Sequence, residues 1–177
     1  MTAWGLRCWG VDVPVDEGDP VGRFLACRPS SRWVVLGHHA AQSLRQLQTA
    51  WLQAVRQEGR ESMVARSIDA EFLRYLAGTH HIAEAFRRTG LQSGDPHAWI
   101  LYLPQTEAPN DGEIPTNENC MEVVLSLGWS SSERTPSLSI DGMQRLGIDA
   151  QGWPEHRHEE ACVAHVLMAD DQSSSHR

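Results

Sequence analysis

Lysine is missing from this chain: all fifteen of its basic residues are arginine, which leaves guanidinium as the only permanent side-chain cation and the group suited to bidentate phosphate contacts. No apolar run approaches the length needed to cross a bilayer, which predicts a soluble protein. The first residues, MTAWGLRCWG, lack the basic segment, continuous apolar stretch and small-residue cleavage site of a secretory leader, and the expected location is the cytoplasm. The four cysteines, Cys8, Cys27, Cys120 and Cys162, contain no C-x-x-C pair, so reduced thiols and no disulfides are expected. Neither a G-x-G-x-x-G nor a P-loop is present, and the serine-rich stretches lack the G-x-S-x-G frame of a nucleophile elbow. No internal repeat is visible.

What is present fits one domain of ordinary size, residues 1–170, followed by a disordered tail, 171–177. The 177 residues carry a net charge of -8, which argues against coating nucleic acid or anionic membrane through the overall field. That charge is uneven. Residues 45–88 hold seven Arg against five acids, a net of +2, while the other residues hold eight Arg and eighteen acids, a net of -10. An anionic partner is expected at the middle segment.

Residues 4–13 and 32–36 are rich in Val, Trp and Leu and read as strands, as does the continuous apolar run 98–104, expected to be central and covered on both faces. Between the first two, Asp19 and Pro20 can open a short helix. From His39 to Gln57, Ala40, Leu44, Leu47, Trp51 and Val55 recur at helical spacing, ending near Gly59. A second helix follows Ser67 as N-cap, with Ile68, Phe72, Leu73 and Leu76 inward to Gly78. A third opens at once with Thr79 as N-cap and Ile82, Ala85 and Phe86 inward to Gly90. Further on, QTEAPNDGEIPT is an acidic loop, NENCMEVVLSLG a helix capped by Asn117 or Asn119, residues 130–139 an exposed connection, and DGMQRLG a short helix. The last helix, EHRHEEACVAHVLMAD, should turn Cys162, Val163, Val166 and Leu167 inward.

Three constellations could carry chemistry. His158, Cys162 and His165 share one helical face, and HEEAC echoes a zincin, but the spacing is that of any amphipathic helix and no further ligand is identified. A core thiol among surface imidazoles is the better reading. The seven tryptophans include Trp33, Trp51 and Trp99 at core positions of predicted elements. The third constellation is the glycine break. Gly78 ends one helix, and His80 and His81 lie at the start of the next, where unpaired amides and the macrodipole suit a phosphate or carboxylate. Arg66, Arg74, Arg87 and Arg88 flank it.

The run SIDAEFLRYLAGTHHIAEAFRRTGLQ resembles the signature of the small accessory-subunit family of the KEOPS complex, called in animals TPRKB, with Glu71, Leu73, Gly78, Ile82, Ala85 and Gly90 in register. Upstream, WVVLGHHAAQSLRQLQTAW resembles that family's strand, turn and first helix, and ACVAHVLMADD its closing helix. The resemblance covers residues 32–92 and 159–171 and is faint elsewhere. It implies an α+β domain with a small mixed, largely antiparallel sheet packed by several helices, and no enzymatic activity; from the residues themselves no metal or cofactor is expected. It also implies docking on the small atypical kinase of the complex, and through it work with the threonylcarbamoyl transferase subunit. Archaeal members of the family capture the single-stranded 3′ CCA tail of tRNA for threonylcarbamoyladenosine modification. On that resemblance the tail site comprises Gly78, Thr79, His80, His81 and Ile82 with Arg66, Arg74 and Arg87; separately, the surface that meets the kinase is expected on the last helix, at His158, Val163 and Val166. Unstacked bases and exposed phosphates suit such a site. This chain has His80-His81 where the family commonly has Arg-Gln, so tail binding is expected to strengthen as pH falls from about 8 to 6. The alternatives are a kinase-docking protein without RNA binding and, from the enzyme class, a His/Cys metal-dependent hydrolase.

Overall fold

Four strands and two helices form the first of two units in this computed structural model, which describes residues 5–105 and 114–171. That unit comprises Met1–His38 and Leu91–Thr135, and the second comprises His39–Gly90 and Pro136–Arg177. The expected tail lies outside the described residues except for Asp171, as does most of the acidic loop, 106–113.

In the first unit β1 (Arg7–Asp12), β2 (Trp33–Gly37), β3 (His97–Tyr102) and β4 (Ser130–Ser132) form a sheet of order β2-β3-β1-β4. The class is α+β as expected, and every strand pairing among the described residues is antiparallel. Side chains alternate across a strand. Thus Trp9 and Val11, Trp33 and Val35, and Ala98, Ile100 and Tyr102 share the face that packs into the core with Phe24 of α1 (Pro20–Cys27) and Cys120, Val123, Val124 and Leu127 of α5 (Asn117–Leu127). Their alternates Val34, Leu36, Trp99 and Leu101 are buried too, which makes β3 the doubly covered strand its apolar run predicts.

Local signals account for most helix ends. Asp19 accepts the Gly22 N–H at 2.9 Å ahead of Pro20. α5 starts one residue before the expected caps: Thr116 is the N-cap, and Asn119 answers from N3 in a reciprocal capping box. β4 falls within the segment expected to be an exposed connection. Three serines carry no apolar alternation, and the strand exists because its backbone pairs with Gly10, Val11 and Asp12.

The second unit is helical: α2 (Leu44–Gly59), α3 (Ile68–Leu76), α4 (Ile82–Thr89), α6 (Ile140–Leu146) and α7 (His158–Leu167), with α3 packed against α2, α4 and α7. The expected start of α2 at His39 is a 3-10 turn, His38–Ala40, and the helix proper follows Ser43, which accepts the Gln46 N–H. Apolar burial on α2 runs through Leu47, Ala50, Trp51, Ala54 and Val55. α3 is buried on nearly its whole circumference, polar Glu71 and Arg74 included, and this sets the character of the site below.

Candidate functional site at the break between α3 and α4

α3 ends in a Schellman motif. The Thr79 N–H donates to Arg74 O at 3.2 Å and the Gly78 N–H to Tyr75 O at 3.0 Å, with Gly78 at φ +60°. Left-handed backbone alone favours glycine here. Packing demands it a second time, because a Cβ on Gly78 would lie 2.5 Å from His165 O and 2.6 Å from the His165 ring. The carbonyl of Ala77, otherwise an orphan of the helix end, accepts from His165 Nε2 at 2.8 Å and from Arg88 Nη1 at 2.9 Å. The gap that the sequence suggests at Gly78 is therefore filled on its α7 side.

Thr79 is not the N-cap of α4 as expected. It is buried, and its Oγ1 accepts the His81 N–H at 3.2 Å. His81 takes the N-cap position with no side-chain hydrogen bond to the helix. The first amides of α4 consequently have no side-chain cap and carry the positive end of the helix dipole. His81 is exposed and His80 partly so, their rings 6.3 Å apart and nearly perpendicular, and His80 Nδ1 has no hydrogen-bond partner. Ile82 is half-buried beside them, whereas Phe86, expected inward, is 48% exposed; Ala85 and Thr89 take the buried positions of α4.

The arginines divide. Arg66 is exposed just ahead of Ser67, the N-cap of α3. Arg74, expected as a cation facing RNA, is fully buried: Nη2 meets Glu71 at 2.7 Å, Nη1 meets Asp170 at 3.0 Å, and the guanidinium lies 4.1 Å over the Tyr75 ring. Arg87 is exposed and forks onto Glu84 through Nε and Nη2 at 2.8 and 2.6 Å. Arg88 also reaches Glu84, at 2.7 Å. Hydrogen bonds from Arg87 and then Arg88 push the Glu84 carboxyl down to about 2, so the acid in the first turn of α4 stays ionised and paired.

On α7 the expected docking set separates as well. Val166 is fully buried, His158 is nearly so with Nε2 3.0 Å from Trp153 O, and Val163 is half-buried. Leu167, expected inward, is 51% exposed, and Met168 just beyond the helix is 50% exposed. Val166 is thus a core residue, and Val163, Leu167 and Met168 are the apolar groups a partner could touch. The suggested metal face does not assemble: Cys162 is buried with its thiol pushed up to about 12 by desolvation, and His165 is committed to Ala77. Among the described residues no group of three or more His, Cys, Asp or Glu side chains converges on a metal position.

Spacing could not reveal the double capping of Ala77 by His165 and Arg88, which come from two other helices. It has a measurable consequence. Burial, reinforced by Arg88, holds His165 below its ordinary value near 6.5 against the opposing pull of its carbonyl contacts. The folded state therefore resists a proton that the unfolded chain accepts, so stability is full above the ordinary range and declines as pH falls through it. Replacing His165 with Gln, whose amide can still donate to Ala77, is expected to flatten the decline in melting temperature between pH 7.5 and 5.5; an unchanged profile would contradict this role.

Residues 33–127, more than half of the chain, match the family described as kinase binding protein CGI-121. No curated protein shows a significant match to the chain.

Proposed function

The chain belongs to the CGI-121 family of kinase binding proteins, and from that premise we propose that it is a non-catalytic KEOPS accessory subunit, which docks on the small atypical kinase and recruits tRNA through its single-stranded 3′ CCA end. The family match carries the kinase half of this reading. Docking through the exposed edge of α7 is supported by Val163, Leu167 and Met168, apolar groups that gain from being covered. Work beside the transferase, by way of the kinase, and residence in the cytoplasm follow from the same reading.

Support for the RNA half comes from the uncapped start of α4. Its free amides, the flanking His80 and His81 and half-buried Ile82 offer hydrogen-bond donors and a surface to an unstacked nucleotide end, while exposed Arg66 stands at the opposite end of α3 from the break. Gly78, Thr79 and Arg74 serve as the scaffold behind those groups. A second reading, kinase docking without RNA contact, draws on the engagement of Arg74, Arg87 and Arg88 with protein partners.

Both halves can be tested with purified components. Intact tRNA should shift the protein on a gel at fixed low salt, while tRNA trimmed of its CCA end should bind more weakly, as should intact tRNA with a His80→Ala/His81→Ala variant. Equal affinity for the two RNAs would leave the docking-only reading. Co-elution with the family's kinase subunit should be lost on replacing Leu167 and Met168 with Glu, and failure of the unmodified chain to co-elute would remove the proposal altogether.

A further inference from the structure

At one end of the sheet the first unit gathers a second pair of histidines. His97 opens β3 directly opposite Asp12, the last residue of β1, and His38 follows Gly37, the last residue of β2, which pairs with Ala98. The sheet thus brings together imidazoles 59 positions apart in sequence. The His97 Nδ1–H donates to Asp12 Oδ1 at 2.9 Å, because a carboxylate can only accept. Arg134 also donates to Asp12 and, ahead of His97, holds its carboxyl below the usual range. In the neutral imidazole that bond places the proton on Nδ1 and leaves an Nε2 lone pair, for which the described residues show no hydrogen-bond partner. His38 is exposed and stacks on the Trp99 indole at 5.5 Å and 16°, while the Trp99 N–H donates to the His38 carbonyl at 2.9 Å. The two imidazoles stand 5.8 Å apart, centroid to centroid, at 62°.

The Asp12–His97 pair is the arrangement of a metal-ligating histidine with its carboxylate support, and a second imidazole, His38, stands beside it. An aspartate on the far ring nitrogen orients such a ligand and raises its basicity. Two imidazoles sharing one tetrahedral ion, with metal–nitrogen bonds near 2.0–2.1 Å, put their ring centroids roughly 5–6 Å apart. The Trp99 stack braces His38, and half-exposure of His97 and Asp12, at 38% and 41% of the side chain, gives a hydrated ion access without opening the core.

We propose that His38 and His97 form a surface site for a borderline divalent transition ion of the zinc, nickel and copper group, with Asp12 as the positioning residue behind His97. Imidazole donors favour that group over magnesium or calcium. Two protein ligands leave the remaining positions to water or to a donor from a bound molecule. Arg134 is paired with Asp12, which offsets part of the repulsion its charge exerts on a cation at His38.

Titrating the full chain with zinc chloride, and separately with nickel chloride, in a non-chelating buffer at pH 7.5 tests the site. Calorimetry should show one equivalent bound. His97→Gln or His38→Gln should abolish it, Asp12→Asn should weaken it about 10- to 100-fold, and the His80→Ala/His81→Ala variant should leave it intact. Copper(II) bound to the unmodified protein should show two nitrogen ligands by electron paramagnetic resonance, a readout that needs no variant to fold. Binding that survives both Gln substitutions, binding lost with His80 and His81, a copper signal with fewer than two nitrogens, or no binding up to millimolar metal would each overturn the assignment.

Discussion

Replacing Arg74 with Leu is expected to destabilise the protein by about 3–5 kcal/mol, the cost of leaving a buried charge without its partner. The abandoned group is Glu71, which is fully buried with Arg74 against Oε1 and the Ala65 N–H against Oε2 at 2.8 Å. Asp170 loses a partner as well, although half of its side chain faces solvent and the Tyr75 hydroxyl still donates to it at 2.7 Å. The informative comparison is the cycle with Glu71→Gln, which removes the charge yet keeps an oxygen for Ala65. The double variant should be more stable than the sum of the two singles implies, by about 0.5–3 kcal/mol, since it strands no fully buried charge. Urea unfolding of the four proteins gives the answer, and a fully stable Arg74→Leu protein would show that the pair is not the anchor the structure makes it. The same measurement bears on function: weakened RNA binding by an Arg74 variant reports loss of the scaffold unless folding is shown to be intact.

The second large effect is expected at Gly78. Alanine there must adopt φ near +60°, which costs an L-residue about 1–3 kcal/mol, and its Cβ must displace the His165 backbone oxygen or ring. Overpacking of this kind adds about 1–3 kcal/mol. A total loss of about 2–6 kcal/mol should lower the melting temperature by many degrees, whereas Ala at Gly94, also at positive φ but with nothing within 4 Å of the added carbon, should incur the backbone term alone. Equal effects at the two positions would mean that α7 does not press on the break. Gly78 variants consequently make poor probes of tail binding, and exposed His80 and His81 make better ones.

The helix break was legible in the sequence because its grammar is local: a glycine that can turn left-handed, then a new amphipathic pattern. Its use was less legible. Arg74 belongs to the basic middle segment and reads as a solvated cation, yet α3 is enclosed by three other helices, and a helix covered all round buries its polar positions as well. Phe86 and Leu167 erred in the opposite sense, since an apolar residue at helical spacing faces inward only if a neighbour stands on that side. β4 left no pattern at all, because an edge strand of three serines is specified by its partner's backbone.

Capping, periodicity and strand alternation act within a few residues, and so the sequence by itself determined the helices and three of the four strands among the described residues, while the α+β class came with the family resemblance carried by the signature around Gly78. Which arginine is buried, what covers Gly78, and how His38 comes to face His97 were decided by tertiary structure alone. Each depends on groups distant in the chain meeting through packing and strand register, and no local window of residues contains that information.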